Sequence, residues 1–330
     1  MLLTIRTAVV WAAALGVFCF QVSAAEVILK PAANSTEVSI GGKPFTTYYF
    51  GGALAKPYFM PLRTASGIVV SRPFPVQNDV TMADRKASSF EPHQRPLYFG
   101  HGNINGLSFW IEKVFAPYYN PHIQQPYGSA ALSGIETSGS GSEEGKIAAR
   151  FNMVDPSGRM IGEETQTFRF RGTDRLRIVD CDFVVTANHG PLTFGDTKEG
   201  TFAVRLGAEL SAPHDHMLNS AGGQGEHAIW GKPADWVSYS GSVSGKQVTV
   251  AMFDHPASFR HPTTWHARAY GLLAANPFGL REFDNDDSKD GSWTVPEGKS
   301  ILFRYQVLIS DGDLTAAELN SLYHDYSTAK

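Results

Sequence analysis

Thiols, excess charge and long apolar stretches are all scarce in this chain. Its 330 residues include two cysteines, and 28 basic against 32 acidic residues leave a net charge of only −4. Two thiols cannot supply the several disulfides that hold small secreted scaffolds together, so the fold rests on its core. Without a basic excess there is no field to hold phosphate backbones, and nucleic acid is excluded as the expected partner. No Gly-x-Ser-x-Gly elbow, phosphate loop or dinucleotide fingerprint occurs, so no cofactor is expected. What the chain does have is 42% hydrophobic and 12% aromatic residues with 32 Gly and 19 Pro. That composition excludes disorder and collagen, and it has a β flavour.

The longest apolar run, Ala8–Phe20, follows Arg6 and precedes Val22-Ser23-Ala24, a small-x-small sequence. This is the pattern of a secretory signal peptide over residues 1–24, too short to span a membrane. The expectation is a secreted or periplasmic protein, with no membrane association once the leader is removed. Residues 25–330 would then form a single domain in which Cys181 is the one thiol.

Period-2 runs rich in β-branched and aromatic residues predict strands at Phe45–Phe50, Ile68–Val70, Thr165–Phe170, Leu176–Val185, Phe202–Leu206, Gln247–Phe253 and Ile301–Ile309. Asp155-Pro156-Ser157-Gly158 joins two such runs as a hairpin turn. Asp313 or Thr315, the latter with Glu318 three residues on, caps a C-terminal helix carrying Leu314, Ala317, Leu322 and Tyr326. Residues 128–145, rich in Gly, Ser and Glu, read as an exposed loop. The sum is an all-β protein, one large antiparallel sandwich with a short C-terminal helix.

Four segments concentrate His, Arg, Asn, acids and Trp: Phe90–Trp110, Phe194–Arg205, Trp230-Gly-Lys232-Pro-Ala-Asp235-Trp236, and Asp254–Arg268. Together with Lys56-Pro-Tyr-Phe-Met-Pro-Leu-Arg63 and Phe303–Gly312, in this order, they resemble the DUF6807 group of secreted bacterial proteins, often labelled PmoA-like. The resemblance implies a β-supersandwich similar to that of galactose mutarotases and hence a carbohydrate partner; it supplies no catalytic residue. The label's methane-oxidation sense conflicts with the lack of a spanning helix. Where many relatives read Asp-His-Pro-His-His-Arg-Gly-Leu-Trp, this chain has Phe90, Glu91, Pro92, His93, Gln94, Arg95, Pro96, Leu97 and Tyr98.

Sugar chemistry runs through proton transfer, which a His and a carboxylate perform together. The residue types single out His101 and Glu199 as an acid–base pair, with His255 or His266 as alternates. His93, Arg95, Asn105, Asp196, Lys198, Trp265 and Arg268 would position the ligand, Trp by stacking and Arg by gripping acceptors. In a strand, Lys198 and Glu199 would point to opposite sides unless Gly195 or Gly200 bends the chain. No metal site is expected. His255, His261 and His266 lack a regular spacing, His214 and His216 fall in a surface loop, and the EF-like Asp286–Glu297 lacks an exit helix. The leading reading is a carbohydrate-active enzyme; a non-catalytic glycan-binding module and a metal-dependent enzyme are its rivals, the first of these being the nearer. A histidine within hydrogen-bond reach of a carboxylate in the main pocket would separate the enzyme from the binding module.

Overall fold

A computed structural model describes residues 24–51, 54–73, 91–118, 125–211 and 217–329. The leader segment and the His214–His216 stretch lie outside the described residues. Two eight-stranded antiparallel sheets make up most of the molecule. The first runs in the order β1 (Val27–Pro31), β2 (Ser35–Ile40), β3 (Lys43–Tyr49), β4 (Tyr58–Phe59), β5 (Leu97–Phe99), β11 (Phe202–Arg205), β16 (Leu272–Ala275), β15 (Trp265–Arg268). The second runs β12 (Met217–Asn219), β13 (Trp236–Val243), β14 (Lys246–Asp254), β18 (Ser300–Asp311), β9 (Leu176–Thr186), β8 (Met160–Gly172), β7 (Gly145–Val154), β6 (Ser129–Gly139). A short ribbon of β10 (Leu192–Phe194) with β17 (Trp293–Val295) completes the strands.

Strand alternation builds the sandwich, because successive side chains face opposite ways. Phe59, Leu97, Phe99, Phe202, Val204 and Leu273 of the first sheet meet Phe168, Phe183, Phe303 and Tyr305 of the second in one buried cluster. Phe99 stacks on Phe183 at 4.4 Å and Phe202 on Tyr305 at 5.4 Å, so the layers interlock through aromatic rings. Cys181 is buried here as an unpaired thiol.

The hairpin closes at Asp155–Gly158, where Gly158 takes a φ of 87° that a Cβ would resist. Three short helices are α1 (Gly225–Ile229), α2 (Leu280–Asp284) and α3 (Ala316–Thr328). Thr315 caps α3 through a reciprocal capping box with Glu318. Leu319 and Tyr326 of α3 pack on Trp236, Phe253 and Leu308, covering part of the second sheet's outward face. Two expectations need correction. Most of residues 128–145 form the edge strand β6, where pairing with β7, interrupted by bulges, outweighs the loop-like composition. Ile68–Val70 makes only an isolated bridge, Val69 to Arg63, instead of a strand.

Candidate functional site

The outward face of the first sheet carries the polar chemistry. On β15, Trp265 and Ala267 point into the sandwich, and His266 and Arg268 point out. Register extends the outward rows sideways: His266 lies opposite Ala274 and Arg268 opposite Leu272, with Ala203 and Arg205 of β11 next along. Tyr270, in the β15–β16 turn, continues the series two residues after Arg268. Its hydroxyl accepts from Gln94 Nε2 at 3.3 Å, and its ring lies 4.8 Å below the Arg205 guanidinium.

The edge of this face opens into a cleft of about 690 Å³ lined by Gln224, Glu226, His227, Trp230, Lys232, Arg268 and Phe283. The Arg268 guanidinium sits 4.5 Å over the Trp230 ring and 3.2 Å from Glu226 Oε1. Glu226 Oε2 also accepts from the Ala269 amide at 2.7 Å, which ties α1 to the end of β15. His266 packs edge-on against Trp230 at 4.9 Å, buried against this wall of the cleft. Its Nδ1–H donates to the Lys198 carbonyl at 2.7 Å, leaving the Nε2 lone pair as the ring's open acceptor. Burial pushes His266 down to about 3 against that hydrogen bond, so the imidazole is neutral at physiological pH.

Residues 195–200 form an irregular loop, and its bend resolves the facing problem of Lys198 and Glu199. Both side chains reach one cluster, Lys198 Nζ lying 3.6 Å from Glu199 and 2.6 Å from Glu282 of α2. Burial pushes the Glu199 carboxyl up to about 7; Lys198 opposes the rise, and Glu91 and Glu282 add to it. Its side chain is still 30% exposed, so a ligand can reach it. Glu199 is therefore a carboxyl that gains or loses a proton near neutrality, on the loop whose carbonyl fixes His266.

Beneath this face lies a cluster of buried charges. Arg95 grips Glu112 through two bonds of 2.8 Å, and Lys56 lies 3.7 Å from the same carboxylate. Lys56 donates to the carbonyls of His93 and Trp110 and sits 4.1 Å over the Tyr98 ring. Burial lowers its pKa to about 7. The His93 ring is buried beside Trp110, with Nδ1 3.5 Å from Glu91. That is longer than an N–H···O bond, and it is the nearest histidine–carboxylate approach on this face among the described residues.

Several residues singled out from sequence stand elsewhere. His101 is fully buried, its Nε2 bonded to the Gly195 carbonyl at 2.8 Å and its ring packed on Phe278 and Phe194. It shares the inward side of Leu97 and Phe99, so the expected His101–Glu199 pair is not formed. Trp265 is core, with no exposed face to stack on a ligand, and its Nε1–H donates to the Ala234 carbonyl. Arg95 is held by Glu112 and the Tyr58 and Phe115 rings. Asn105 anchors its loop to the Pro191 carbonyl and the Thr193 amide. Asp196 accepts from the Arg281 and Gly291 amides, pinning α2 to the loop. His255 directly follows β14 of the second sheet and lines a separate hollow with Arg304 and Tyr326. Its Nδ1 accepts from the Ala257 amide, and burial, then Arg304, lowers its pKa. Of the expected residues Arg268 lines the cleft, His266 packs on its Trp230 wall, and Lys198 and Glu199 stand on the neighbouring loop whose carbonyl His266 bonds. Glu226 and Tyr270 are additions; outward alternation of 266, 268 and 270 is the signal that reveals the second.

The chain matches the model of a family of unknown function, DUF6807, over residues 35–324. The chain belongs to that family. No curated protein matches the DUF6807 chain. Among solved structures it is similar to a heparan sulfate lyase from Pedobacter heparinus, with 9% identity and a TM-score of 0.32 over 89% of this chain and 34% of that one. An alpha-galactosidase from Lactobacillus brevis shares 6% identity and a TM-score of 0.39 over 90% of this chain and 41% of its own. The Slr1438 protein of Synechocystis sp. PCC 6803 shares 9% identity and a TM-score of 0.32, over 87% of this chain and 96% of that one. The DUF6807 chain thus spans between a third and about two fifths of the first two. Scores this low say nothing about its chemistry.

Proposed function

We propose that the protein binds a carbohydrate in the cleft between α1 and the β15 edge. The observation that carries this is the combination of Trp230, Arg268, Glu226 and Lys232 around one open cavity. An indole beside fixed donors and acceptors suits a ring that is apolar on its faces and hydroxylated at its rim. A panel of oligosaccharides tested by thermal shift checks it. A true ligand at 100 times its Kd stabilises by about 2.7 kcal/mol, and Trp230→Ala abolishes the shift. A panel that leaves the melting temperature unmoved sinks the reading.

A second reading, proton transfer on the bound sugar, is favoured by Glu199 and His266. Neither bonds the other, and the sequence-based criterion by itself points to a binding module. Glu199, poised near neutrality, would however give or take the proton, and His266 Nε2, neutral and too weak a base to hold one, would orient a sugar hydroxyl by accepting its hydrogen bond. Glu199→Gln and His266→Ala are each expected to lower turnover about 10²–10⁴-fold. Full turnover in both variants leaves binding as the function. The same reading has the protein exported with residues 1–24 removed, which an N-terminus at Ala25 on the mature protein would verify.

A further inference from the structure

Hydrogen-bonding capacity in the cleft is unevenly spent. Both Glu226 oxygens are engaged, one beside Arg268 and one on the Ala269 amide. Lys198 is committed to Glu282 and Glu199. Arg268, by contrast, uses one nitrogen toward Glu226 and has a buried Nε without a partner. Its guanidinium carries five N–H donors, and stacking on Trp230 holds their plane fixed. Lys232, on the turn that follows α1, is exposed on the same wall and makes no ion pair among the described residues. The cleft therefore offers a fixed guanidinium edge and an unneutralised ammonium next to an indole, while its one lining carboxylate is already occupied.

Resting on the carbohydrate reading above, we propose that the ligand is an acidic saccharide whose carboxylate is taken by Arg268 and Lys232 while its ring lies at Trp230. A neutral sugar would leave these donors facing hydroxyls that bind them more weakly. A carboxylate meets a guanidinium edge in two parallel bonds and gains from the second cation. A sulfate ester carries the same charge with tetrahedral oxygens, which match the planar edge less well.

Calorimetric titration of the full protein decides this, with tri-galacturonate and tri-mannuronate each set beside its neutral counterpart, galactotriose or mannotriose, and beside a sulfated galactotriose. The expected result is that one uronate trimer binds at least about tenfold more tightly than its neutral partner. That is the scale of one charge-assisted hydrogen bond. The acid-to-neutral ratio then drops about tenfold in Lys232→Gln, an exposed position where the fold is retained, and stays put in Lys246→Gln on the β13–β14 hairpin. Neutral trimers that bind as well as the acids overturn the inference and leave the carbohydrate reading standing. Preference for the sulfated trimer overturns the carboxylate assignment, and no binding by any of them overturns both.

Discussion

The outward faces of the two sheets hold similar residue types and treat them in opposite ways. On the second sheet, Arg169 and Arg304 both bond Asp182, and Arg171 and Gln306 both bond Asp180, in a ladder across β8, β9 and β18. Each charge of that ladder meets its opposite at a part-exposed position, and α3 covers another part of the same face. On the first sheet, charges are buried at Lys56, Arg95 and Glu112, pKa values are displaced at Glu199 and His266, and donors stay unspent at Arg268 and Lys232. Cross-strand pairing uses up the reactivity of a polar face; desolvation and incomplete pairing keep it available.

The contrast breaks most visibly at its buried end. Glu112→Ala strands the Arg95 cation in the interior, where Lys56 can shed its proton, and is expected to cost about 3–5 kcal/mol in chemical denaturation. A loss below about 1 kcal/mol would show that this cluster is as dispensable as a surface pair. A smaller effect follows from Glu199. Its folded pKa of about 7 lies above that of an unfolded glutamate, so the native state binds more protons between these values. Its contribution to stability is lost as pH rises through that window, and Glu199→Gln removes that component of the slope. Glu164, buried on the other sheet and likewise pushed up to about 7, contributes a slope that survives in the variant. Denaturation midpoints from pH 4 to 8 test both; an unchanged slope in Glu199→Gln contradicts the assignment. Smallest is Asp182→Ala, which removes two part-exposed ion pairs and is expected to cost about 1 kcal/mol, with saccharide binding unaltered.

Much of the architecture was legible because it follows from period. The strands Leu176–Val185 and Gln247–Phe253, the Asp155–Gly158 turn and the Thr315–Glu318 cap are local patterns, and they form as read. The site was legible only in part. Residue type grouped His101 with Glu199 and Trp265 with Arg268, yet alternation already separates them: His101 follows Leu97 and Phe99 inward, and Trp265 faces away from its neighbours. Asn105 and Asp196 spend their polar atoms on distant backbone amides and carbonyls, partners that no local spacing reveals. Glu226 reaches the cleft from α1 across 43 positions of sequence, a contact that exists only once β15 has formed.

Lys198 sits between the two groups assigned to chemistry, its ammonium beside Glu199 and its carbonyl on the imidazole of His266. One residue thus tempers the burial-raised proton affinity of the one and fixes the tautomer of the other. The backbone share survives any substitution there, so exchanging the side chain would retune the carboxyl alone. Only displacement of the 195–200 segment would release both at once.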